Sequence, residues 1–170
     1  DVLVKFNNEI INTLKRLKCK AKSITSKECN IITVKQKNKI LKFVGEPTGI
    51  RINILKEIIN NNEIPVIASL GLDENKRTFN INADTAAGSV AKKLGARRLL
   101  IISDVEGVLD NQKKLITEIN LKKTKEMIKE GIISGGMIPK IKNCLDVAKN
   151  GVKAVCIIDG RKNHSVLFEL

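Results

Sequence analysis

Three stretches of this chain are apolar through nearly consecutive residues rather than on alternate ones. They are Ile64–Leu70, Arg98–Ile102 with its run Leu99-Leu100-Ile101-Ile102, and Val152–Ile158. A strand with one wet face alternates polar and apolar side chains. A strand apolar on both faces has to be covered on both, and helices usually do that. Between these runs lie helical patterns. This alternation predicts an α/β layer with a mostly parallel sheet. In such sheets ligands bind beyond the carboxyl ends of the strands. The loops after the three runs are therefore the ones to read for chemistry.

The intervening segments carry their own signals. Val2–Leu17 places apolar residues at Leu3, Phe6, Ile10, Leu14 and Leu17, spacings that predict an amphipathic helix facing inward along that stripe. Asn30–Val34 and Ile40–Val44 flank the polar Lys35–Lys39 and predict a hairpin. Ile52–Ile59, Ala83–Leu94, Leu121–Lys129 and Met137–Lys149 read as helices, and Lys162–Leu170 as the start of a last one. Thr78–Asn82 reads as a short extended segment entering the Ala- and Gly-rich helix.

Charge bears on partners. The 170 residues carry 31 Lys+Arg against 18 Asp+Glu, a net charge of +13. That balance suits an anionic partner, and it equally suits the Lys-, Asn- and Ile-rich usage of an AT-rich genome. With four Phe, no Trp and no Tyr there is little on which to stack bases. The cations are also dispersed, so no nucleic-acid partner is expected. No apolar run approaches the roughly 18 residues of a membrane span, and no membrane partner is expected either. Cys19, Cys29, Cys144 and Cys156 form no C-x-x-C pair, and His164 has no nearby ligand partner, so no metal site is read. Cys144 and Cys156 lie in apolar patterns and read as core thiols.

Four constellations could carry chemistry. In Ser134-Gly135-Gly136-Met137-Ile138-Pro139-Lys140 a glycine pair opens a helix, with Pro in its first turn and Lys next. Backbone N–H groups and the positive end of the helix dipole make such a loop an anion site. A plain loop with a solvated Lys is the other reading. In Asn80-Ile81-Asn82-Ala83-Asp84, alternation puts Asn80 and Asn82 on one face, where amides can read a carboxylate or an amide. Helix capping by Asn82 and Asp84 is the alternative. Ser103-Asp104-Val105-Glu106-Gly107 follows an apolar strand and suits a nucleotide edge. Asp159-Gly160-Arg161 ends the last strand, either as a turn with a solvated Arg or as part of a site.

Taken in order, the motifs Asn80-Ile81-Asn82-Ala83-Asp84-Thr85-Ala86-Ala87-Gly88, Ser103-Asp104-Val105-Glu106-Gly107-Val108 and Ile133-Ser134-Gly135-Gly136-Met137-Ile138-Pro139-Lys140 resemble the acetylglutamate kinases of the amino-acid kinase family. Phe43-Val44-Gly45-Glu46, Ile64-Pro65-Val66-Ile67-Ala68 and Ile157-Ile158-Asp159-Gly160-Arg161 with His164 extend the likeness. The resemblance implies a three-layer αβα sandwich. It implies transfer of the ATP γ-phosphoryl group, with Mg²⁺ accompanying ATP, to the side-chain carboxylate of N-acetyl-L-glutamate in arginine synthesis.

Residue by residue, it implies that Asn80 and Asn82 hold the acceptor and that Asp84 orients the catalytic lysines. Lys140 would neutralise the transferring phosphoryl group. Gly135, Gly136 and Met137 would line the phosphate path, and Ser103 and Asp104 the nucleotide. Residues 1–80 would then complete the acceptor-binding half and 81–170 the nucleotide half of one domain. The family's glycine-flanked lysine, Gly-Gly-Gly loop and substrate arginine have no counterpart here. The chain is therefore expected to be about the carboxyl-terminal two-thirds of the pattern. A homo-oligomer in a bacterial cytoplasm or plastid stroma is expected. The alternatives are a non-catalytic nucleotide-binding or regulatory module of the same fold, or another carboxylate kinase of the family.

Overall fold

The computed structural model describes residues 2–169 and divides into two compact units, residues 1–93 and 94–170. The first unit begins with α1 (Val2–Arg16), followed by β1 (Ala21–Ile24), β2 (Ile32–Gln36), β3 (Gly45–Ile50) and α2 (Ile52–Asn60). It continues with β4 (Ile64–Ile67), β5 (Leu70–Leu72), β6 (Thr78–Asn80) and α3 (Ala83–Leu94). β1 and β4 pair in parallel, Ala21 opposite Ile64 through Ile24 opposite Ile67. A second sheet has the order β3-β2-β5-β6. Its two edges approach each other, because Val44, just before β3, bridges Asn80 at the end of β6. That bridge ties the two edges together at one point.

The buried face of α1 differs from the expected stripe. Asn7 and Ile11 are buried, whereas Phe6, Ile10 and Leu17 of the stripe are exposed. The cause is a polar key: Asn7 Nδ2 donates to the Val66 carbonyl (2.8 Å), and the Ser23 hydroxyl donates to Asn7 Oδ1 (2.8 Å). A buried amide is tolerated when its bonds are made, so Asn7 can face β1 and β4 where spacing alone favours a hydrocarbon.

Two further expectations change in this unit. The apolar run Ile64–Leu70 is two strands in two sheets. The Leu70 N–H donates to the Ala68 carbonyl (2.7 Å), a tight turn that moves the chain from the parallel pair to the four-stranded sheet. The hairpin exists, but its second arm starts at Gly45, and Ile40–Phe43 is the turn.

The second unit holds β7 (Arg98–Ser103), α4 (Leu121–Lys129), α5 (Met137–Lys149) and β8 (Ala154–Asp159). β7 and β8 pair in parallel from Arg98 opposite Ala154 to Ser103 opposite Asp159. Val108, Met127, Ile133 and Ile141 form the buried core, with Ile116, Met137, Ile138, Leu145 and Ile157 packed around it. Asn120 caps α4 by accepting the Lys123 N–H (2.9 Å). The helix expected from Lys162 is replaced by turns and a short 3₁₀ segment at Leu167–Glu169, because His164 takes a left-handed backbone (φ +60°) that an α-helix cannot contain. Cys144 and Cys156 are half-buried rather than core thiols, and among the described residues no cysteine is in a disulfide. Partial burial and then the neighbouring Glu169 carboxylate push the Cys156 thiol up from its ordinary value.

Candidate functional site

On the first unit, the polar residues singled out by sequence lie along one short path. β6 delivers Asn80, the chain dips inward at Ile81 (1% exposed), and Asn82 and Asp84 open α3. Asn80 and Asn82 are both exposed, on the same side of the buried Ile81, as alternation predicts. The Asn82 Oδ1 accepts the Thr85 N–H (3.0 Å) and the Thr85 hydroxyl (3.2 Å), so Asn82 is the helix cap. Capping uses the oxygen only. The Nδ2 group keeps two N–H donors that suit a carboxylate. Asp84 is half-buried in the first turn of α3. Of the small-residue face, Ala86 and Gly88 are buried, while Ala83 and Ala87 are exposed.

The loop that feeds β6 is tightly built. The Asp73 carboxylate accepts from the Asn75 and Arg77 N–H groups (3.0 and 2.8 Å) and from Arg77 Nε (2.8 Å). Partial burial pulls the Asp73 carboxyl upward, but the Arg77 bonds and charge outweigh it and hold the group below its ordinary value. The Arg77 guanidinium then lies 5.7 Å from the centre of the Phe79 ring, one residue before Asn80.

On the second unit, Ser103 and Asp104 stand where β7 ends, beside the end of β8. The Gly160 N–H donates to the Ser103 carbonyl (2.8 Å). A Cβ at Gly160 would come within 2.5 Å of Ile102 Cγ2, so a larger residue there would require the Ile102 side chain to shift. The Ser103 hydroxyl lies 3.4 Å from Asp104 Oδ1.

The Asp159 side chain is only 5% exposed and receives the Arg161 N–H (3.0 Å), Nε (2.8 Å) and Nη2 (2.9 Å). The Arg161 side-chain bonds, its backbone N–H and the charges of Arg161 and Lys162 outweigh partial burial and lower the Asp159 carboxyl to about 2. Lys162 Nζ and Glu106 Oε1 (3.2 Å) tie the two loops together. Arg161 is thus a clamp on Asp159 and not only a solvated cation. Sequence reading left this open, and the Asp-x-Arg spacing of an Asx turn was its signal.

The third cluster opens α5. Gly135 is left-handed (φ +53°), and Gly136 is the N-cap with no side-chain cap bond. A side chain at Gly135 would have to adopt that left-handed conformation, at a cost of about 1–2 kcal/mol. A Cβ on either glycine would meet nothing within 4 Å, so the loop is open around both. The Met137 N–H donates to the Ser134 carbonyl (3.2 Å) and the Ile138 N–H to the Gly135 carbonyl (3.3 Å). The donors best placed for an anion are therefore those of Gly135 and Gly136. Lys140 follows one turn later, half-buried. Among the described residues, no three His, Cys, Asp or Glu side chains group as a metal cluster.

Comparison with known proteins places these clusters in context. Residues 1–159 match the model of the amino acid kinase family. The chain is 71% identical, over all 170 residues, to the acetylglutamate kinase of Pelagibacter ubique, and it covers 59% of that protein. The solved structure of the Streptococcus mutans UA159 protein smu.665 superposes with a TM-score of 0.78 at 31% identity, over 87% of this chain and 60% of that one. Giardia carbamate kinase shares the fold at 18% identity with a TM-score of 0.68, over 90% of this chain and 63% of that one.

Proposed function

The chain belongs to the amino acid kinase family, and from that premise we propose that the protein containing it phosphorylates the side-chain carboxylate of N-acetyl-L-glutamate with ATP. The product is an acyl phosphate in arginine biosynthesis. The observation that carries this reading is the 71% identity to an acetylglutamate kinase over all 170 residues. The chain spans about three-fifths of that relative, so the activity belongs to the complete gene product. The bacterial relatives favour a bacterial cytoplasm. No helix among the described residues is long and apolar enough to cross a membrane.

The chemistry suits these residues. A carboxylate is already a nucleophile, so no general base is needed. Phosphoryl transfer asks for positioning and for positive charge where charge develops. Asn80 and the Asn82 Nδ2 group bind the acceptor. The amides of Gly135 and Gly136 cradle the phosphates, and Met137 lines the path beside them. Lys140 carries charge to the transferring group, and Asp84 is the organising carboxylate. Ser103 and Asp104 form the nucleotide edge. Mg²⁺ enters with ATP as part of the substrate.

Trapping the acyl phosphate with hydroxylamine, for a panel of acceptors, tests the proposal. Hydroxamate should form with N-acetylglutamate, and at least about tenfold less efficiently with glutamate, aspartate or carbamate, since an unpaired buried partner costs on the order of 1–3 kcal/mol. A preference for free glutamate would place the protein in a different branch of the family.

A further inference from the structure

Asn80 is held by its backbone from two sides. On one side β5 pairs with it, Leu70 opposite Asn80, and the next N–H, that of Ile81, donates to the Ser69 carbonyl (2.9 Å). On the other side the Phe43 carbonyl accepts the Asn80 N–H (2.8 Å), and Val44 forms the bridge that brings the sheet edges together. Phe43 and Val44 belong to no strand. They end the turn between β2 and β3, and two side chains share in holding that turn. Asn38 Oδ1 accepts the Leu41 N–H (2.7 Å), and Gln36 Nε2 donates to the Lys42 carbonyl (2.9 Å). Two backbone bonds complete it, from Lys37 N–H to the Val44 carbonyl and from Val44 N–H to the Leu41 carbonyl (2.8 and 2.7 Å).

The geometry points to Asn38, with Gln36 in support, as a positioning residue for acceptor binding that acts through Phe43 on Asn80. Packing gives this turn no other evident task. Ile40 is 89% exposed and Phe43 67% exposed, so the turn buries little apolar surface of its own. Its one aromatic contact is the Phe43 ring on Phe79, 6.4 Å between centroids, again one residue before Asn80. A side chain that reads a small acceptor has to point in a fixed direction, and small displacements of such a group are costly. The Asn38 amide oxygen holds Leu41 in the turn that ends at Phe43, and the Phe43 carbonyl in turn holds the Asn80 backbone from which that side chain extends. The inference rests on the reading of Asn80 as an acceptor-binding residue.

The test uses the complete gene product and three variants, Asn38→Ala, Asn38→Asp and Asn80→Ala. Asn38→Ala should speed hydrogen exchange at the Asn80 amide at least about tenfold. It should raise the acceptor KM about three- to tenfold while leaving kcat and the ATP KM within about twofold. Asn38→Asp, whose carboxylate accepts the same N–H, should restore both readouts. Unchanged exchange at Asn80, an unchanged acceptor KM, or a rise in both KM values alike would overturn the proposal. A defect in Asn80→Ala beside a normal Asn38→Ala would overturn the positioning role alone. An ordinary acceptor KM in Asn80→Ala would overturn the reading of Asn80, and the proposal with it.

Discussion

The two units hold their polar groups in opposite ways. In residues 1–93 the amide-bearing segment is pinned: Asn80 is bonded along its backbone from β5 and from Phe43, and Asn82 is fixed by its own helix cap. In residues 94–170 the glycine turn before α5 is open, with no side-chain cap and no atom near the place of either Cβ. The difference matches the two ligands that the family reading assigns. A small acceptor with one amide and two carboxylates is told from its neighbours by groups aimed beforehand. A polyphosphate has many equivalent oxygens, and backbone N–H groups with a lysine cation beside them hold it without such constraint.

The strongest way to break this division is to remove the charge on the open side. Lys140→Ala in the complete gene product is expected to lower kcat by roughly 10²–10³, as for loss of a preorganised charge donor. Steady-state kinetics checks it, and a near-normal kcat would take Lys140 out of the transfer step. Asp84→Asn should lower kcat on the order of 10² with an ordinary thermal midpoint. Asn82 already caps α3, so nearly full activity would mean that Asp84 does no more than offset the dipole at the helix start.

A smaller effect sharpens the comparison at the end of β8. The Asp159 carboxyl is held at about 2, below its ordinary 3.8, chiefly by Arg161. A lowered carboxyl contributes stability that is complete above the ordinary value and is lost as pH falls through it towards the native one. The thermal midpoint should therefore fall more steeply between about pH 4 and pH 2 than in Asp159→Asn. Equal slopes would show that the clamp adds no pH-dependent stability.

Much of this was legible because helix ends are written locally. Ala83–Leu94, Leu121–Lys129 and Met137–Lys149 form with the predicted bounds; Asn82 and Asn120 cap the first two, and Gly136 stands at the N-cap position of the third. The α/β class followed from strands apolar on both faces. Misreadings came where a distant partner decides. Asn7 is buried because Val66 and Ser23 satisfy its amide, which spacing within α1 cannot reveal. The run from Ile64 splits at the Ala68 turn because two sheets compete for it. His164 adopts a left-handed backbone, and the last helix is lost there. At the site, residue types were readable and their holders were not. The support of Asn80 by Phe43 spans nearly forty positions.

The division of labour itself is tested most directly by measuring both Michaelis constants in Asn80→Ala and Gly135→Ala forms of the complete gene product. The account predicts a crossover: Asn80→Ala raises the acceptor KM about tenfold or more with the ATP KM within about twofold, and Gly135→Ala does the reverse. Both constants rising together in either variant would contradict it.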